Sequence, residues 1–336
     1  MTARKLQSDA FITLSGWGQS DATLLAGDAS NRRYDRLTFP NGKTAILMDA
    51  PPNRGEDVRP FVRIAEYLNR IGLSAPKILA RDLTNGFLLI EDLGDDLFAR
   101  MMKDDPDCQQ MLYRAATDVL NRLHAADPLT LPQCDATWLT DMTAPVFEWY
   151  LDGETDAVIS GFQRVFFPMA AQLDATKRVV ILRDYHAENL LWLRERIGTK
   201  QVGLLDFQDA LLGHPAYDLV SILQDARRDV APDLEAEMIA HYLNKTDINA
   251  PAFHTAYALL GAQRNLRILG IFARLCLRDG KPHYIDLIPR VWGYVMRNLA
   301  HPALAPLAEF IDTTLPRPTP DHLEHLKSQC ATTPTP

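Results

Sequence analysis

Residues Ile181 to Ala210 read ILRDYHAENLLWLRERIGTKQVGLLDFQDA, and their pattern decides the fold. Leu190-Leu191-Trp192-Leu193 and Val202-Gly203-Leu204-Leu205 are apolar runs of strand length. The segment between them, Arg194 to Gln201, is polar and contains Gly198, so the spacing predicts a β-hairpin. Asn189 then stands just before the first strand and Asp206 at the end of its partner. Asp184 lies on the loop that feeds the first strand. A hairpin holds its two ends close, so the spacing predicts that the three polar groups converge.

Such a convergence has a chemical use. Phosphoryl transfer asks a protein for a clamped Mg²⁺ and for a carboxylate that orients the attacking hydroxyl and takes its proton. Asn189 and Asp206 offer hard oxygen ligands, which suit Mg²⁺, and Asp184 is left as the base. The segment resembles the catalytic loop and metal-binding Asp of protein kinases, H-R-D-x-x-x-x-N and D-F-G. Here the text is L-R-D-Y-H-A-E-N and D-F-Q: Leu182 replaces the His and Gln208 the Gly. Those departures, with His186 two residues after the Asp, are more similar to the aminoglycoside phosphotransferase and choline kinase branch.

Upstream, a small leading helix is expected from about Arg4 to Leu14. Strands follow over Ala22–Ala26, Arg33–Phe39 and Thr44–Asp49, with Asn41-Gly42 as a strong hairpin signal. The first turn, GDASNRRYDR from Gly27, is small and polar, and backbone N–H groups in such a turn approach phosphates closely. Pro51-Pro52 breaks the sheet. A helix from about Val58 to Ile71 is predicted from Phe61, Val62, Ala65, Leu68 and Ile71, with Gly72 as its stop. Gly86 to Ile90 is a buried strand, and Glu91-Asp92-Leu93-Gly94 turns out of it.

Downstream of Asp104 the periodicity is helical. One apolar face runs through Met111, Leu112, Ala115, Ala116, Val119, Leu120 and Leu123 to His124, which reads as a helix-end histidine rather than a metal ligand. Leu139–Leu151 and Gly161–Leu173 are expected to be further helices, their aromatics core or a sugar-facing wall. After the hairpin, Pro215 is well placed for a first helical turn, and Asp218 is expected to brace the catalytic loop by hydrogen bonds. Arg264, Asn265 and Arg267 form a polar cluster that either reaches substrate or lies on the solvated face, the second being preferred.

The 336 residues suffice for two lobes, and a formal net charge of −8 with no basic patch argues against a nucleic-acid partner. Four widely spaced cysteines, Cys108, Cys134, Cys276 and Cys330, read as free thiols in a reducing cytoplasm. No apolar run is long enough to span a bilayer and no leader-like apolar region is evident.

Over nearly the whole chain the texts GDASNRRYDR, ILMDAPP, FLLIEDLGD, RDYHAENLLWL, LLDFQDALLGHPAYDLVS and QRNLRILGIFARL resemble the aminoglycoside phosphotransferase superfamily. They look most like its bacterial anomeric kinases of N-acetylmuramate and N-acetylglucosamine. The resemblance implies an α+β, protein-kinase-like bilobal fold: a small antiparallel-sheet N-lobe over residues 1–93 and a larger, mostly helical C-lobe over 94–336. It implies ATP and Mg²⁺, a small-molecule substrate and no membrane partner. By it, Gly27, Ser30 and Arg32 cover the phosphates, and Glu91 and Leu93 offer backbone groups to the adenine. Asp209 and Arg264 are candidate substrate contacts, Asp209 being equally readable as a metal-site carboxylate or a loop cap.

One departure stands out. Kinase-like folds carry a Lys on the third strand that holds the phosphates, and here Met48 occupies its place. The following helix lacks the partner Glu. Arg32, Arg33 or Lys43 would have to supply the charge. Two other functions stay open: an aminoglycoside or choline-type kinase of the same superfamily, or a catalytically silent nucleotide-binding regulator.

Overall fold

The computed structural model describes residues 3–27, 31–151, 153 and 155–333. The chain begins with helix α1 (Ala3–Leu14), followed by strands β1 (Asp21–Gly27), β2 (Arg33–Thr38) and β3 (Thr44–Asp49). Gly42, at φ 82°, makes the turn between β2 and β3 that Asn41-Gly42 predicted. Helix α2 (Arg59–Arg70), strands β4 (Ile78–Asp82) and β5 (Phe87–Ile90), and helices α3 (Phe98–Asp104) and α4 (Gln109–Ala125) come next. The five strands form one antiparallel sheet in the order β1-β2-β3-β5-β4.

Strand alternation gives that sheet two faces. Leu37, Ala45, Leu47, Phe87 and Leu89 pack with Phe11 and Ile12 of α1 and with Trp17. The other face carries Ile46, Met48, Leu88 and Ile90, all buried. α2 buries Phe61, Val62, Ile64, Ala65, Tyr67 and Leu68, the one-sided spacing that the sequence shows.

The chain continues with α5 (Ala136–Asp141), α6 (Asp156–Ala171) and β6 (Val179–Ile181), then β7 (Leu190–Trp192), β8 (Val202–Leu204) and β9 (Leu211–Gly213). β7 and β8 are the predicted hairpin, paired Leu190 to Leu204 and Trp192 to Val202. β6 pairs with β9 in a second small ladder. Helices α7 (Ala216–Leu223), α8 (Pro232–Leu243), α9 (Ala250–Leu277), α10 (Ile288–Leu299), α11 (Ala305–Thr314) and α12 (Pro320–Ser328) complete the chain. The single helix expected over Leu139–Leu151 is instead the short α5 and a separate π turn at Val146–Tyr150. Pro145 lies between them, and a proline has no N–H to continue a helix.

Contacts group the chain into two compact units. One compact unit is Met1–Asp127 with Asp184–Ala210, and the other is Pro128–Arg183 with Leu211–Pro336. The β7–β8 hairpin therefore groups with the five-stranded sheet: Leu204 N–H donates to the Ser74 carbonyl at 2.8 Å. In the second unit α9 and α10 pack side by side around a buried polar network of Gln224, Asn265 and Asn298. All four cysteines are free. Among the described residues no helix is long and apolar enough to cross a membrane.

Candidate active site

The open end of the β7–β8 hairpin builds the site. Asn189 ends a short 3₁₀ turn, Ala187–Asn189, immediately before β7. Its carbonyl accepts from Leu205 N–H at 3.0 Å, which carries the ladder one step beyond the Leu190–Leu204 pair and sets Asp206 beside it. The Asn189 amide Nδ2 donates to the Asp184 carbonyl at 2.9 Å and lies 3.4 Å from His186 Nε2. That bond closes the loop from Asp184 to Asn189. With the amide nitrogen committed, Asn189 Oδ1 is the oxygen left for a cation.

Asp206 sits in the left-handed backbone region, at φ 53°. Asp tolerates this region better than most residues, but at a cost of about 1 kcal/mol or more. Its Oδ1 accepts from Gln208 Nε2 at 2.7 Å, so the residue that replaces the usual Gly orients this carboxylate. Burial pushes the Asp206 carboxyl above the usual carboxylate range, and the charges of Asp184 and Asp209 push the same way. Gln208 and Arg32 oppose the shift. The residue as a whole is exposed, while enough protein stands around its carboxyl to weaken hydration. Asp184 is half-buried and Asp209 exposed. Negative charge is thus crowded at Asp206, which favours a cation there.

Among the described residues no three His, Cys, Asp or Glu side chains are grouped to hold a metal. The donor set is instead one carboxylate and one amide oxygen. That fits Mg²⁺, which dehydrates reluctantly and is held by one or two protein ligands with water and phosphate oxygens.

Met48 is 1 % exposed and faces Tyr34 across the β2–β3 ladder, so its place on β3 carries no charge. A cation stands nearby on the chain before β2. Arg32 Nε pairs with Glu56 at 2.6 Å, and Glu56 Oε1 also accepts from Asn31 N–H at 3.3 Å. Burial works against the Arg32 charge, but Glu56 and Tyr34 outweigh it and hold the guanidinium above its ordinary pKa. Of the three cations expected to replace the missing Lys, Arg33 pairs with Asp35 at 2.8 Å and Lys43 lies 5.1 Å over the Trp17 ring. Arg32 bears on Asp206, its charge lowering the carboxyl pKa. Gly27 pairs with Arg33 at the end of the β1–β2 ladder. Ser30 lies outside the described residues.

Beyond β5 the linker is fixed by charge. Arg36 on β2 pairs with Asp92 at 2.7 Å and with Asp95 at 2.9 Å. Arg196 holds the Glu91 carboxylate at 2.7 Å. The Glu91 N–H is taken by the Lys77 carbonyl at 2.8 Å. The Glu91 carbonyl and the Leu93 N–H have no backbone partner among the described residues. Gly203 of β8 allows the linker to come close, since a Cβ there would meet Leu93 Cδ1 at 3.1 Å and Leu191 Cβ at 3.2 Å.

In the second unit, Asp218 is fully buried in the first turn of α7 and accepts from Leu182 N–H at 2.6 Å and Arg183 N–H at 2.9 Å. This is the bracing role that its sequence position suggested. Arg183, at φ 70°, is a second left-handed residue. His214 Nδ1 accepts from Ala216 N–H, and burial holds its pKa down at about 4, so the ring is neutral. Arg264 and Asn265 are not on the solvated face: they are 7 % and 0 % exposed, while Arg267 is half-buried. Helical spacing alone placed them outside, but α9 has neighbours on most of its circumference.

Sequence reasoning did not find the Arg32–Glu56 pair, the Arg36 clamp or the Gln208 contact. Each joins groups through side-chain placement that no local pattern announces. A weak signal was available for one of them, since Asp92 and Asp95 stand close together in a linker.

The pattern of the phosphotransferase enzyme family matches residues 21–257. A curated N-acetylmuramate/N-acetylglucosamine kinase of Caulobacter vibrioides is 41% identical over 354 residues, covering 93% of this chain and 97% of that protein. Among solved structures, a choline kinase of Streptococcus pneumoniae superimposes with a TM-score of 0.62 at 13% identity, covering 87% of this chain and 98% of its own. An amicoumacin kinase in complex with AMP-PNP and Ca²⁺ gives 0.60 at 14% identity, covering 97% of this chain and 100% of its own. These two likenesses speak for the fold: an antiparallel-sheet N-terminal part and a helical remainder of protein-kinase-like type.

Proposed function

The chain belongs to the phosphotransferase enzyme family and is a small-molecule kinase; from that premise we propose that it uses ATP and Mg²⁺ to phosphorylate the anomeric hydroxyl of N-acetylmuramate or N-acetylglucosamine. In this reading Asp184 orients the C1 hydroxyl and accepts its proton. The hydroxyl oxygen forms the new bond to the γ-phosphorus as the bond to the bridging oxygen of ADP breaks. Asn189 Oδ1 and the Asp206 carboxylate would hold Mg²⁺, which neutralises charge on the phosphate oxygens when bound. Gly27, Ser30 and Arg32 are assigned to the phosphates. The Glu91 carbonyl and the Leu93 N–H are assigned to the adenine edge, and Asp209 to a sugar hydroxyl.

The observation that carries this reading is Asp206. It is held in a strained backbone conformation, and its charge is penalised by burial and by the charges of Asp184 and Asp209. A carboxylate prepared at such cost is suited to a cation arriving with its substrate. An anomeric hydroxyl is more acidic than an ordinary alcohol, so a loop carboxylate is a sufficient base for it. The 41% identical relative of Caulobacter vibrioides, an N-acetylmuramate/N-acetylglucosamine kinase, points to the sugar. The four free thiols fit a reducing cytoplasm.

The test is to incubate the protein with ATP, Mg²⁺ and each sugar, and to locate the new phosphate by ³¹P–¹H coupling. The expected product is the 1-phosphate. Phosphate at C6, or turnover only with aminoglycosides or choline, would overturn the assignment.

A further inference from the structure

Two of the four cysteines lie side by side at the C-terminal end of α9, and the chemistry above uses neither. Cys276 stands in the last turn of α9 and is fully buried. Cys330 follows the end of α12 and is half-buried. Its Sγ donates to the Cys276 carbonyl at 3.3 Å. Ala331 N–H donates to the same carbonyl at 3.1 Å, and Thr333 N–H donates to the Leu277 carbonyl at 3.1 Å. Cys276 Sγ in turn donates to the Leu326 carbonyl of α12 at 3.7 Å, and the two thiols stand within hydrogen-bond reach of each other.

The last carbonyls of a helix have no partner within it. Here the chain after α12 supplies donors to two of them, so the backbone on both sides of the cysteine pair is held. Ala331 makes the turn at φ 59°, which a non-glycine residue keeps only when its surroundings hold it there. A disulfide needs Cα atoms within about 7 Å and side chains that face each other. Bonds from the carbonyl of one cysteine to the thiol of the other, and to the N–H next to it, hold the two Cα atoms near that separation. The sulfurs differ in access. Burial and then the Cys330 thiol push the Cys276 thiol up to about 12, so it stays protonated and is inert by itself. Cys330, partly open to solvent, is the sulfur that a small oxidant reaches.

We propose that Cys276 and Cys330 are an oxidation site, at which a peroxide converts the two thiols to a disulfide that staples the chain after α12 to the end of α9. The Cys330 sulfur attacks one peroxide oxygen, the O–O bond breaks, and a sulfenic acid and one water form. The Cys276 sulfur then attacks the Cys330 sulfur; the S–S bond forms, the S–O bond breaks, and the hydroxyl leaves as a second water with the Cys276 proton. Two thiols are oxidised and one peroxide is reduced to two waters. Under reducing conditions the pair stays open, and it closes when peroxide rises. Both cysteines belong to the second unit, whereas Asp184, Asn189 and Asp206 belong to the first. The bond is therefore read in stability, and the inference is independent of the kinase reading and of the sugar.

The experiment treats the fully reduced, full-length protein with hydrogen peroxide, counts thiols after denaturation, maps peptides by mass spectrometry and records melting by calorimetry. The thiol count is expected to fall from four to two. Trypsin cuts after Arg274, Arg278 and Lys327, so the bond appears as Leu275–Arg278 linked to the peptide that begins at Ser328. The staple closes a span of 54 residues, and the melting temperature of the second unit rises on the order of 10 °C. Dithiothreitol reverses both changes. Cys330→Ser keeps a hydroxyl that can donate to the Cys276 carbonyl, and after peroxide it shows neither the linked peptide nor the rise. Cys108→Ser shows both. Four thiols remaining in the wild-type protein, sulfinic or sulfonic acid on Cys330 with Cys276 still free, or a Cys330 bond between two copies of the chain overturns the proposal. So does a rise in melting temperature that persists in Cys330→Ser. Should Cys330→Ser fail to fold, the linked peptide from the wild-type protein decides by its presence or absence.

Discussion

Asp218→Asn tests how the catalytic loop is held. The Asp218 carboxylate is fully buried and accepts two backbone N–H groups, Leu182 at 2.6 Å and Arg183 at 2.9 Å. Ser221 Oγ donates to the Arg183 carbonyl at 3.1 Å. Together they fix a turn whose second residue, Arg183, sits at φ 70°, a conformation that costs a non-glycine residue about 1–2 kcal/mol. A hydrogen bond to a charged acceptor is worth about 1.5–3 kcal/mol. Asparagine keeps one oxygen acceptor but turns an NH₂ toward the other N–H, so one bond is lost and one buried donor left unsatisfied. The expected destabilisation is about 2–4 kcal/mol, or roughly 5–12 °C in melting temperature for a unit of this size. Arg183 directly precedes Asp184 in the chain, so kcat falls too, by about a hundredfold for a displacement near 1 Å. Differential scanning calorimetry and initial rates read the two effects. In an Arg183→Gly background the turn holds no strain that its loosening could release, so the Asp218→Asn penalty is at least as large as in wild type, by up to about 1 kcal/mol. A melting temperature within about 1 °C of wild type, with kcat unmoved, would refute the bracing argument.

Asp184→Asn should lower turnover about 10²–10⁴-fold while nucleotide affinity stays near wild type, and a variant keeping more than a third of the rate with chemistry limiting would remove Asp184 as the base. Asp206→Asn should weaken Mg-nucleotide binding yet stabilise the ligand-free protein at neutral pH. Its carboxyl is pushed up in the folded state, so the stability it contributes is present below the ordinary carboxylate range and lost as pH rises through the folded value. The melting-temperature gap between variant and wild type should therefore close on acidification, and a gap that is constant from neutral pH to pH 4 would contradict this. Arg32→Gln should raise KM for ATP about tenfold, as expected when one charge-assisted phosphate contact is lost, and an unchanged KM would leave the phosphates to another cation. Met48→Ala should cost about 2–5 kcal/mol of stability, as for other buried methionines. A large change in KM for ATP with the melting temperature unmoved would show that Met48 touches the nucleotide.

What the sequence determined by itself is what short-range pattern can encode. Two apolar runs flanking a polar, glycine-containing segment specify the β7–β8 hairpin, because strand alternation and turn chemistry act over a few residues. The hairpin then brings Asn189 and Asp206 together, and a loop of five residues delivers Asp184 to them. Asp218 was legible for a related reason, since an acid in the first turn of a helix faces the chain that the helix packs against. Tertiary structure alone decided which charges meet. Arg32 finds Glu56 at a separation of 24 residues and Arg36 finds Asp95 at 59. Periodicity reports which face of an element is apolar, not which distant side chain will lie opposite a charge. The same limit governs Arg264. Its position among charged and polar residues on α9 suggests a solvated face, and only the packing of Tyr217 against it shows a cation buried without a counter-ion.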